Sequence, residues 1–191
     1  MPTVRITGGS LKGARIYVLA DVSARYTSSK VREAIFNMIG SVEGKSVLDL
    51  FAGSGLFSIE ALSRGAGSAT LVEVDRKMVG LIKKNLAEAG LNKVCRVLTM
   101  DARRAISFLY GKGNVYDIIF LDPPYDKRFI ADTMTALERS PVLNTDSLII
   151  AEYSKREVGP FPDCVHWAGV TTKRYGDTMV AVLKGMGHSE I

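Results

Sequence analysis

From Lys45 onward the chain alternates apolar runs with amphipathic stretches, and this alternation limits the possible folds more than any other feature. Strands are predicted at about residues 46–51, 69–74, 94–100 and 116–121, and helices near 56–64, 76–89, 102–110 and 128–139. A further strand is predicted near 147–153. Strands that alternate with helices form βαβ units, whose parallel sheets are covered on both faces. The sequence therefore predicts an α/β fold.

Both ends of the chain depart from this alternation. Two short strand-like runs, residues 4–7 and 14–19, flank a glycine-rich segment and predict a small N-terminal hairpin. A helix is predicted to follow, with its N-cap within Thr27-Ser28-Ser29 and its end at Gly40. Near the C-terminus, two strand-like runs around Gly176-Asp177 predict a terminal hairpin. The expected organisation is an extension over residues 1–40 and a main domain over residues 41–191.

The net charge of +5 is concentrated at the N-terminus. Residues 1–40 carry six basic and two acidic side chains, whereas the other 151 residues are nearly neutral. A basic segment in front of a neutral domain is typical of a surface that contacts a polyanion, although a solvated face without a partner would look the same. The candidate contacts are Arg5, Lys12, Arg15, Lys30 and Arg32.

Several classes of protein are disfavoured by the composition. No apolar run approaches the roughly 20 residues that a membrane-crossing helix needs, and no N-terminal segment resembles a signal peptide. Cys95 and Cys164 have neither metal-ligand nor disulfide spacing, and His166 and His188 accompany no nucleophile. We expect a cytoplasmic protein that binds no metal, contacts no membrane and acts as a monomer.

A glycine-rich loop follows the first strand of the alternating region. The strand ends in Asp49-Leu50, and the chain continues through Phe51-Ala52-Gly53-Ser54-Gly55 into a helix. Glycines let the backbone turn tightly and approach a ligand, and the helix N-terminus adds free N–H groups. The pattern is a weak match to a dinucleotide fingerprint, because the sixth position is Ser58.

Acidic residues at three strand ends sharpen the interpretation of this loop. Asp49 would repel a pyrophosphate and suits the ammonium of an amino acid instead, whereas Glu73, about 20 residues on, suits ribose hydroxyls. Asp101 and Ala102 would supply a carboxylate and a backbone N–H near an adenine edge. Asp75 is better placed as the N-cap of the next helix. These features predict a site for S-adenosylmethionine.

A second loop, Asp122-Pro123-Pro124-Tyr125, comes directly after the apolar run at residues 118–121. The Asp122 carboxylate and the Pro123 carbonyl can accept hydrogen bonds from an exocyclic amine, and the prolines bring no competing donor. Tyr125 offers a face on which a base can stack. The pattern predicts methyl transfer to an amino nitrogen, but it does not choose among adenine, guanine and an amide.

Motifs along nearly the whole chain resemble the RsmD-type family of bacterial 16S rRNA (guanine966-N2)-methyltransferases, which are class I S-adenosylmethionine-dependent enzymes. Besides the two loops, the resemblance rests on Arg5–Gly9 with Lys12-Gly13, Thr27–Asn37, Glu60–Ala66 and Leu71–Asp75. The block Val31–Asn37 is the most family-specific. The chain departs from the family at Tyr26, Ser29 and Lys30, where relatives show Pro, Asp and Arg.

The resemblance implies a Rossmann-like sheet of seven strands, mostly parallel, with an antiparallel terminal strand. It also implies methylation of guanine N2 in 16S rRNA on the small ribosomal subunit or an assembly intermediate. Two alternatives stay open: an N6-adenine DNA methyltransferase with the same acceptor loop, and a non-catalytic RNA-binding assembly factor.

Overall fold

The computed structural model describes residues 1–19, 28–124, 128–157, 161 and 167–185. Several residues singled out in the sequence lie outside these ranges: Tyr26, Thr27, Tyr125, Cys164, His166 and His188. The chain divides into two compact units, Met1–Thr99 and Met100–Ile191. The predicted division at residue 40 stays a prediction, since the N-terminal hairpin and the first helix lie within the first unit.

The first unit contains five strands and three helices in its described residues. In chain order they are β1 (Thr3–Arg5), β2 (Arg15–Tyr17), α1 (Ser29–Ile39), β3 (Ser46–Asp49), α2 (Leu56–Ser63), β4 (Ser68–Glu73), α3 (Arg76–Glu88) and β5 (Cys95–Thr99). Strand β4 pairs in parallel with both β3 and β5. Parallel strands end at the same edge of a sheet, so Asp49 and Glu73 lie at one edge.

Helix α1 begins and ends where the sequence predicts. The Ser28 hydroxyl accepts a hydrogen bond from the backbone N–H of Val31 (3.2 Å), and Gly40 ends the helix with a φ of +72°. The apolar face of α1 packs on α2, and the rings of Phe36 and Phe57 stack with centroids 5.1 Å apart. Helix α1 is therefore joined to the element that begins at the glycine loop.

The N-terminal hairpin also packs on α2. Strands β1 and β2 pair antiparallel, and the turn between them contacts Ser63 at the end of α2. The Ser63 hydroxyl donates to the Gly8 carbonyl (2.6 Å) and accepts from the Leu11 N–H (2.9 Å). Gly9 has a φ of +78°, and a Cβ there would lie 1.8 Å from the Ser63 carbonyl oxygen. Glycine is required at position 9 for both reasons.

The second unit contains two helices and four strands in its described residues. They are α4 (Ala102–Tyr110), β6 (Tyr116–Leu121), α5 (Phe129–Arg139), β7 (Leu143–Ser154), β8 (Trp167–Tyr175) and β9 (Thr178–Gly185). Strands β6 and β7 are parallel, and β9 pairs antiparallel with both β7 and β8. The predicted terminal hairpin is confirmed, with Gly176 in its turn at a φ of +65°.

Strand β7 is longer than the sequence predicts. It begins at Leu143, four residues before the predicted start. The reason is a register shift in the pairing with β6, in which Tyr116 is paired with Leu143 but Ile118 with Leu148. Asp146 has a φ of +65°, and the Ser147 hydroxyl donates to the Tyr116 carbonyl (2.7 Å) across the irregularity. In the described part of the chain, no helix has the length and apolar character needed to cross a membrane.

Candidate functional site

The glycine loop joins β3 to α2 and has two glycines with positive φ. At Gly55 the φ is +79° and a Cβ would lie 3.1 Å from Leu71 Cδ2, so this glycine serves the turn and the packing beneath it. At Gly53 the φ is +54°, but the nearest atom to a Cβ would be Met78 Cε at 4.0 Å. Open space at Gly53 leaves the loop backbone accessible to a ligand.

Glu73 lies at the end of β4, where the sequence predicts a ribose-binding acid. One of its oxygens accepts from the Gly53 N–H (2.9 Å), and the other accepts from the Asp75 N–H (2.9 Å). Each carboxylate oxygen has a second lone pair that stays available for a hydroxyl donor. The two bonds orient the carboxylate and join it to the glycine loop.

Asp49, at the end of β3, is 1% exposed. The Ser58 hydroxyl donates to its Oδ2 (2.9 Å), whereas Oδ1 has no hydrogen-bond partner among the described residues. Burial raises the pKa of Asp49 to about 7, against the lowering effect of hydrogen bonds from Ser58 and the Phe51 backbone, and the charge of Glu73 adds to the rise. A buried acid with an unpaired oxygen is costly unless a donor arrives, so Asp49 fits the ammonium group of S-adenosylmethionine.

Phe51 is half-buried in the glycine loop. Asp101 and Ala102 belong to the second unit, where Asp101 caps α4 and Ala102 is its buried first residue. Asp101 accepts from the Arg104 N–H (3.1 Å) and pairs with the Arg104 guanidinium (3.4 Å). The capping role was not foreseen, and the adenine contact stays a prediction.

The acceptor loop follows β6 directly. Asp122 is half-buried, Pro123 is buried and Pro124 is exposed, so the acid and its neighbouring carbonyl come at the end of a buried strand as predicted. The predicted stacking face, Tyr125, lies outside the described residues. The roles of Asp122, Pro123 and Tyr125 stay predictions.

Four of the five basic residues expected to contact RNA are exposed: Arg5, Lys12, Arg15 and Lys30. Arg5 and Arg15 are direct partners across the hairpin, which places two charges side by side. The expectation for Arg32 is corrected. Its side chain is fully buried, where it pairs with Glu60 (2.5 Å) and donates to the Arg5 carbonyl (2.7 Å). Its charge is therefore used inside the unit, and its surface cannot reach a partner in this conformation.

Glu60, on α2, is the residue that organises this interior, and sequence reasoning did not single it out as functional. Its carboxylate is fully buried and accepts hydrogen bonds from Thr7, Arg32 and Arg64. Burial by itself would raise the pKa of Glu60, but these hydrogen bonds and the Arg32 charge outweigh burial and lower it. A Glu and an Arg at i and i+4 in a helix were a visible signal for one of these contacts.

Asn85, on α3, is a second unforeseen residue. It is 1% exposed and contacts both β2 and the glycine loop. Its Oδ1 accepts from the Tyr17 N–H (3.0 Å), and its Nδ2 donates to the carbonyls of Tyr17 (3.0 Å) and Ser54 (2.9 Å). No sequence pattern distinguishes this asparagine from a surface polar residue of an amphipathic helix.

Comparison with known proteins identifies the family. The model of the family described as "Conserved hypothetical protein 95" matches residues 4–184. The chain belongs to this family. It is 40% identical over 186 residues to the putative rRNA methyltransferase YlbH of Bacillus subtilis, covering 96% of this chain and 100% of that protein. It is 38% identical over 150 residues to ribosomal RNA small subunit methyltransferase D of Escherichia coli, covering 78% of this chain and 74% of that protein.

A solved structure of the putative methyltransferase yhhF from Escherichia coli matches this family member with a TM-score of 0.82 and 32% identity, over 98% of this chain and 100% of that chain. The resemblance to RsmD-type methyltransferases is thereby confirmed. The predicted class I methyltransferase fold is confirmed as well. The cofactor predicted from the sequence, S-adenosylmethionine, is therefore confirmed. The glycine loop is the candidate site for it.

Proposed function

We propose that this protein transfers a methyl group from S-adenosylmethionine to the exocyclic N2 amine of a guanine in 16S rRNA, at the guanine966 type of site. The proposed substrate is the small ribosomal subunit or an assembly intermediate in the cytoplasm, and the enzyme acts as a monomer. The observation that carries the proposal is the buried, half-paired Asp49 beside a glycine loop whose Gly53 N–H is bound by Glu73. The names of the Bacillus and Escherichia relatives support rRNA as the substrate class.

The proposed cofactor site divides the donor molecule among three groups of residues. Asp49 holds the ammonium end, the glycine loop lies along the chain beside it, and Glu73 accepts the ribose hydroxyls. Asp101 and Ala102 are assigned to the adenine edge, and Phe51 to the loop wall. When bound, S-adenosylmethionine supplies a methyl group that is electrophilic because it is attached to a positively charged sulfur.

The proposed acceptor site consists of Asp122, Pro123 and Tyr125. The Asp122 carboxylate and the Pro123 carbonyl grip the two N–H bonds of the guanine amine and turn its lone pair toward the methyl carbon. The nitrogen forms the new N–C bond while the C–S bond breaks and its electron pair stays on sulfur. The nitrogen then loses a proton to solvent. No strong base is needed, because an aromatic ammonium is acidic, and positioning can supply roughly 7–11 kcal/mol of the barrier reduction.

The proposed RNA surface consists of the exposed basic residues Arg5, Lys12, Arg15 and Lys30. Such a surface binds phosphates with an affinity that falls as salt is raised. Base pairs inside a helix cannot present the guanine amine to the acceptor loop, so the target nucleotide must be unpaired or extruded.

The test is incubation of the protein with labelled S-adenosylmethionine and under-methylated small ribosomal subunits, followed by nucleoside mapping. We expect label in N2-methylguanosine, and at least a hundredfold slower transfer by Asp122→Asn, which keeps the shape of the loop but loses the charge that grips the amine. S-Adenosylhomocysteine should bind this variant as it binds the wild type.

The other outcomes decide against the proposal. Label in N6-methyladenine would assign the protein to the adenine methyltransferases, and subunit binding without any transfer would indicate an assembly factor. Transfer by Asp122→Asn at the wild-type rate would remove Asp122 from the acceptor site.

A further inference from the structure

Asn85 connects two parts of the first unit that the proposed function uses separately. One part is the basic hairpin, represented by Tyr17 of β2, and the other is the glycine loop, represented by Ser54. The side chain is 1% exposed and Ser54 is 3% exposed, so the hydrogen bond between them is buried, whereas the two bonds to Tyr17 are part-buried. An asparagine amide has two donors and one acceptor oxygen, and all three groups are engaged here.

The bond pattern on Tyr17 is that of a strand partner. Tyr17 offers both its N–H and its carbonyl to Asn85, at 3.0 Å each, along the edge of β2 that does not face β1. Asn85 thus pairs with a strand edge through a side chain. The second N–H of the same amide plane donates to Ser54 (2.9 Å), between the two positive-φ glycines of the loop.

A planar amide cannot reorient for one partner without disturbing the other. Displacement of the Ser54 carbonyl pulls on the amide that holds Tyr17, and displacement of β2 pulls on the amide that holds Ser54. Breaking a hydrogen bond between buried groups costs free energy, because the groups are left without partners. The two segments therefore favour their docked conformations together.

We propose that Asn85 is a positioning residue that makes the order of the N-terminal hairpin depend on occupation of the cofactor loop. A ligand that binds the loop backbone holds the Ser54 carbonyl in place, and the Asn85 amide passes that restriction to Tyr17. Coupling of this kind is reciprocal, so a polyanion bound to the hairpin raises cofactor affinity by the same factor. The inference rests on the proposed function: the coupling of loop and hairpin needs the proposed cofactor site, and the part that concerns RNA needs the proposed RNA surface as well.

The experiment is hydrogen exchange with and without S-adenosylhomocysteine, read at single amides. The Tyr17 amide reports the coupling directly, because its N–H is bonded to Asn85. The Thr7 amide reports docking of the same hairpin by another route, because its N–H donates to Glu60. In the wild type we expect S-adenosylhomocysteine to slow exchange of the loop amides and to slow Tyr17 and Thr7 by about fivefold or more.

Two variants isolate the role of Asn85. In Asn85→Ala the loop should still respond to the ligand, whereas the responses of both Tyr17 and Thr7 should be lost. Thr7 is the decisive amide, because its own hydrogen bond to Glu60 is intact in this variant. Ser63→Ala is the matched control, since it removes two hydrogen bonds that dock the hairpin without touching the loop. In that variant the response of Tyr17 should persist.

If the ligand protects the loop of the wild-type protein but leaves exchange of Tyr17 unchanged, the inference is wrong. This measurement needs no variant, so it tests the inference even if Asn85→Ala does not fold. Retention of the Tyr17 response in a folded Asn85→Ala would overturn it too. Absence of any protection of the loop would instead refute the proposed cofactor site, and the coupling with it.

Co-sedimentation of the protein with under-methylated small subunits tests the part of the inference that concerns RNA. S-Adenosylhomocysteine should tighten subunit binding about fivefold or more in the wild type and in Ser63→Ala, and leave it unchanged in Asn85→Ala. Absence of subunit binding in every variant would refute the RNA part of the proposed function while the exchange result stands.

Discussion

Asp49 and Glu60 are carboxylates of the first unit that are at most 1% exposed, but they differ in the donors around them. Glu60 accepts from a threonine and two arginines, and its pKa is lowered. Asp49 accepts from the Ser58 hydroxyl and keeps Oδ1 without a partner among the described residues, and its pKa is raised to about 7. Burial is common to both, so the difference comes from the hydrogen-bond donors and from the nearby charges, Glu73 beside Asp49 and Arg32 beside Glu60. A paired acid stabilises a structure, whereas an incompletely paired acid is prepared to bind a cation.

The strongest test of this contrast is to neutralise Glu60. Glu60→Gln leaves the fully buried Arg32 without its counter-charge, and breaking a buried pair of this kind costs about 3–5 kcal/mol. We expect a loss of that size in the free energy of unfolding, measured by urea denaturation. The double variant Glu60→Leu with Arg32→Met should recover part of it, since no isolated charge remains. A loss below about 1 kcal/mol in Glu60→Gln would mean that Arg32 is stabilised by other groups.

Neutralising Asp49 should weaken cofactor binding without destabilising the cofactor-free protein. Asp49→Asn removes the charge that is proposed to bind the cofactor ammonium, and the loss of one partner from a buried charge pair costs about 2 kcal/mol or more. We expect the affinity for S-adenosylhomocysteine to fall about thirtyfold or more by calorimetry, while the cofactor-free protein stays at least as stable at pH 8. The exposed Asp132 on α5 provides the control, and Asp132→Asn should bind as the wild type does. Unchanged affinity in Asp49→Asn would exclude the ammonium role.

The pH dependence of cofactor binding is a smaller expected effect, and it tests the raised pKa of Asp49. With a pKa of about 7, Asp49 is mostly protonated at pH 6 and must lose its proton to bind an ammonium. The affinity for S-adenosylhomocysteine should therefore rise about tenfold from pH 6 to pH 8 and then level off, and Asp49→Asn should abolish this rise. A flat profile in the wild type would contradict the raised pKa.

The same two acids give opposite contributions to stability. The folded-state pKa of Asp49 lies above its ordinary value of 3.8, so its contribution is full below that value and is lost as pH rises through about 7. The folded-state pKa of Glu60 lies below its ordinary value of 4.5, so its contribution is present above that value and is lost as pH falls through the lowered pKa. Unfolding curves of the two variants between pH 4 and pH 8 should diverge from the wild type in opposite directions.

The contrast also marks what could be predicted from the sequence. Asp49 and Glu73 were singled out because each is an acid at the end of an apolar run, and their place at one edge of the sheet is confirmed. The caps Ser28 and Asp75 were predicted because cap residues have a local signature. The βα order and the terminal hairpin follow from equally local patterns. Such features depend on neighbours in the chain, which a sequence displays directly.

Features that depend on distant partners were missed or misread. Arg32 was assigned to RNA by its charge, but its partner Glu60 is 28 residues away and turns that charge inward. Asn85 contacts Tyr17, which is 68 residues away in the sequence, and no pattern near Asn85 predicts the contact. The early start of β7 depends on an irregular pairing with β6 that no periodicity encodes.

The docking of the hairpin on α2 and α3 has a consequence for the order in which the chain folds. Its strands are three residues long, too short for an isolated hairpin to be stable, and their anchors Glu60 and Asn85 lie 53 and 68 positions downstream of Thr7 and Tyr17. At about 5–20 residues per second, the ribosome needs about 3–14 s to proceed from Tyr17 to Asn85. The segment that is synthesised first is therefore among the last parts of its unit to reach its native place.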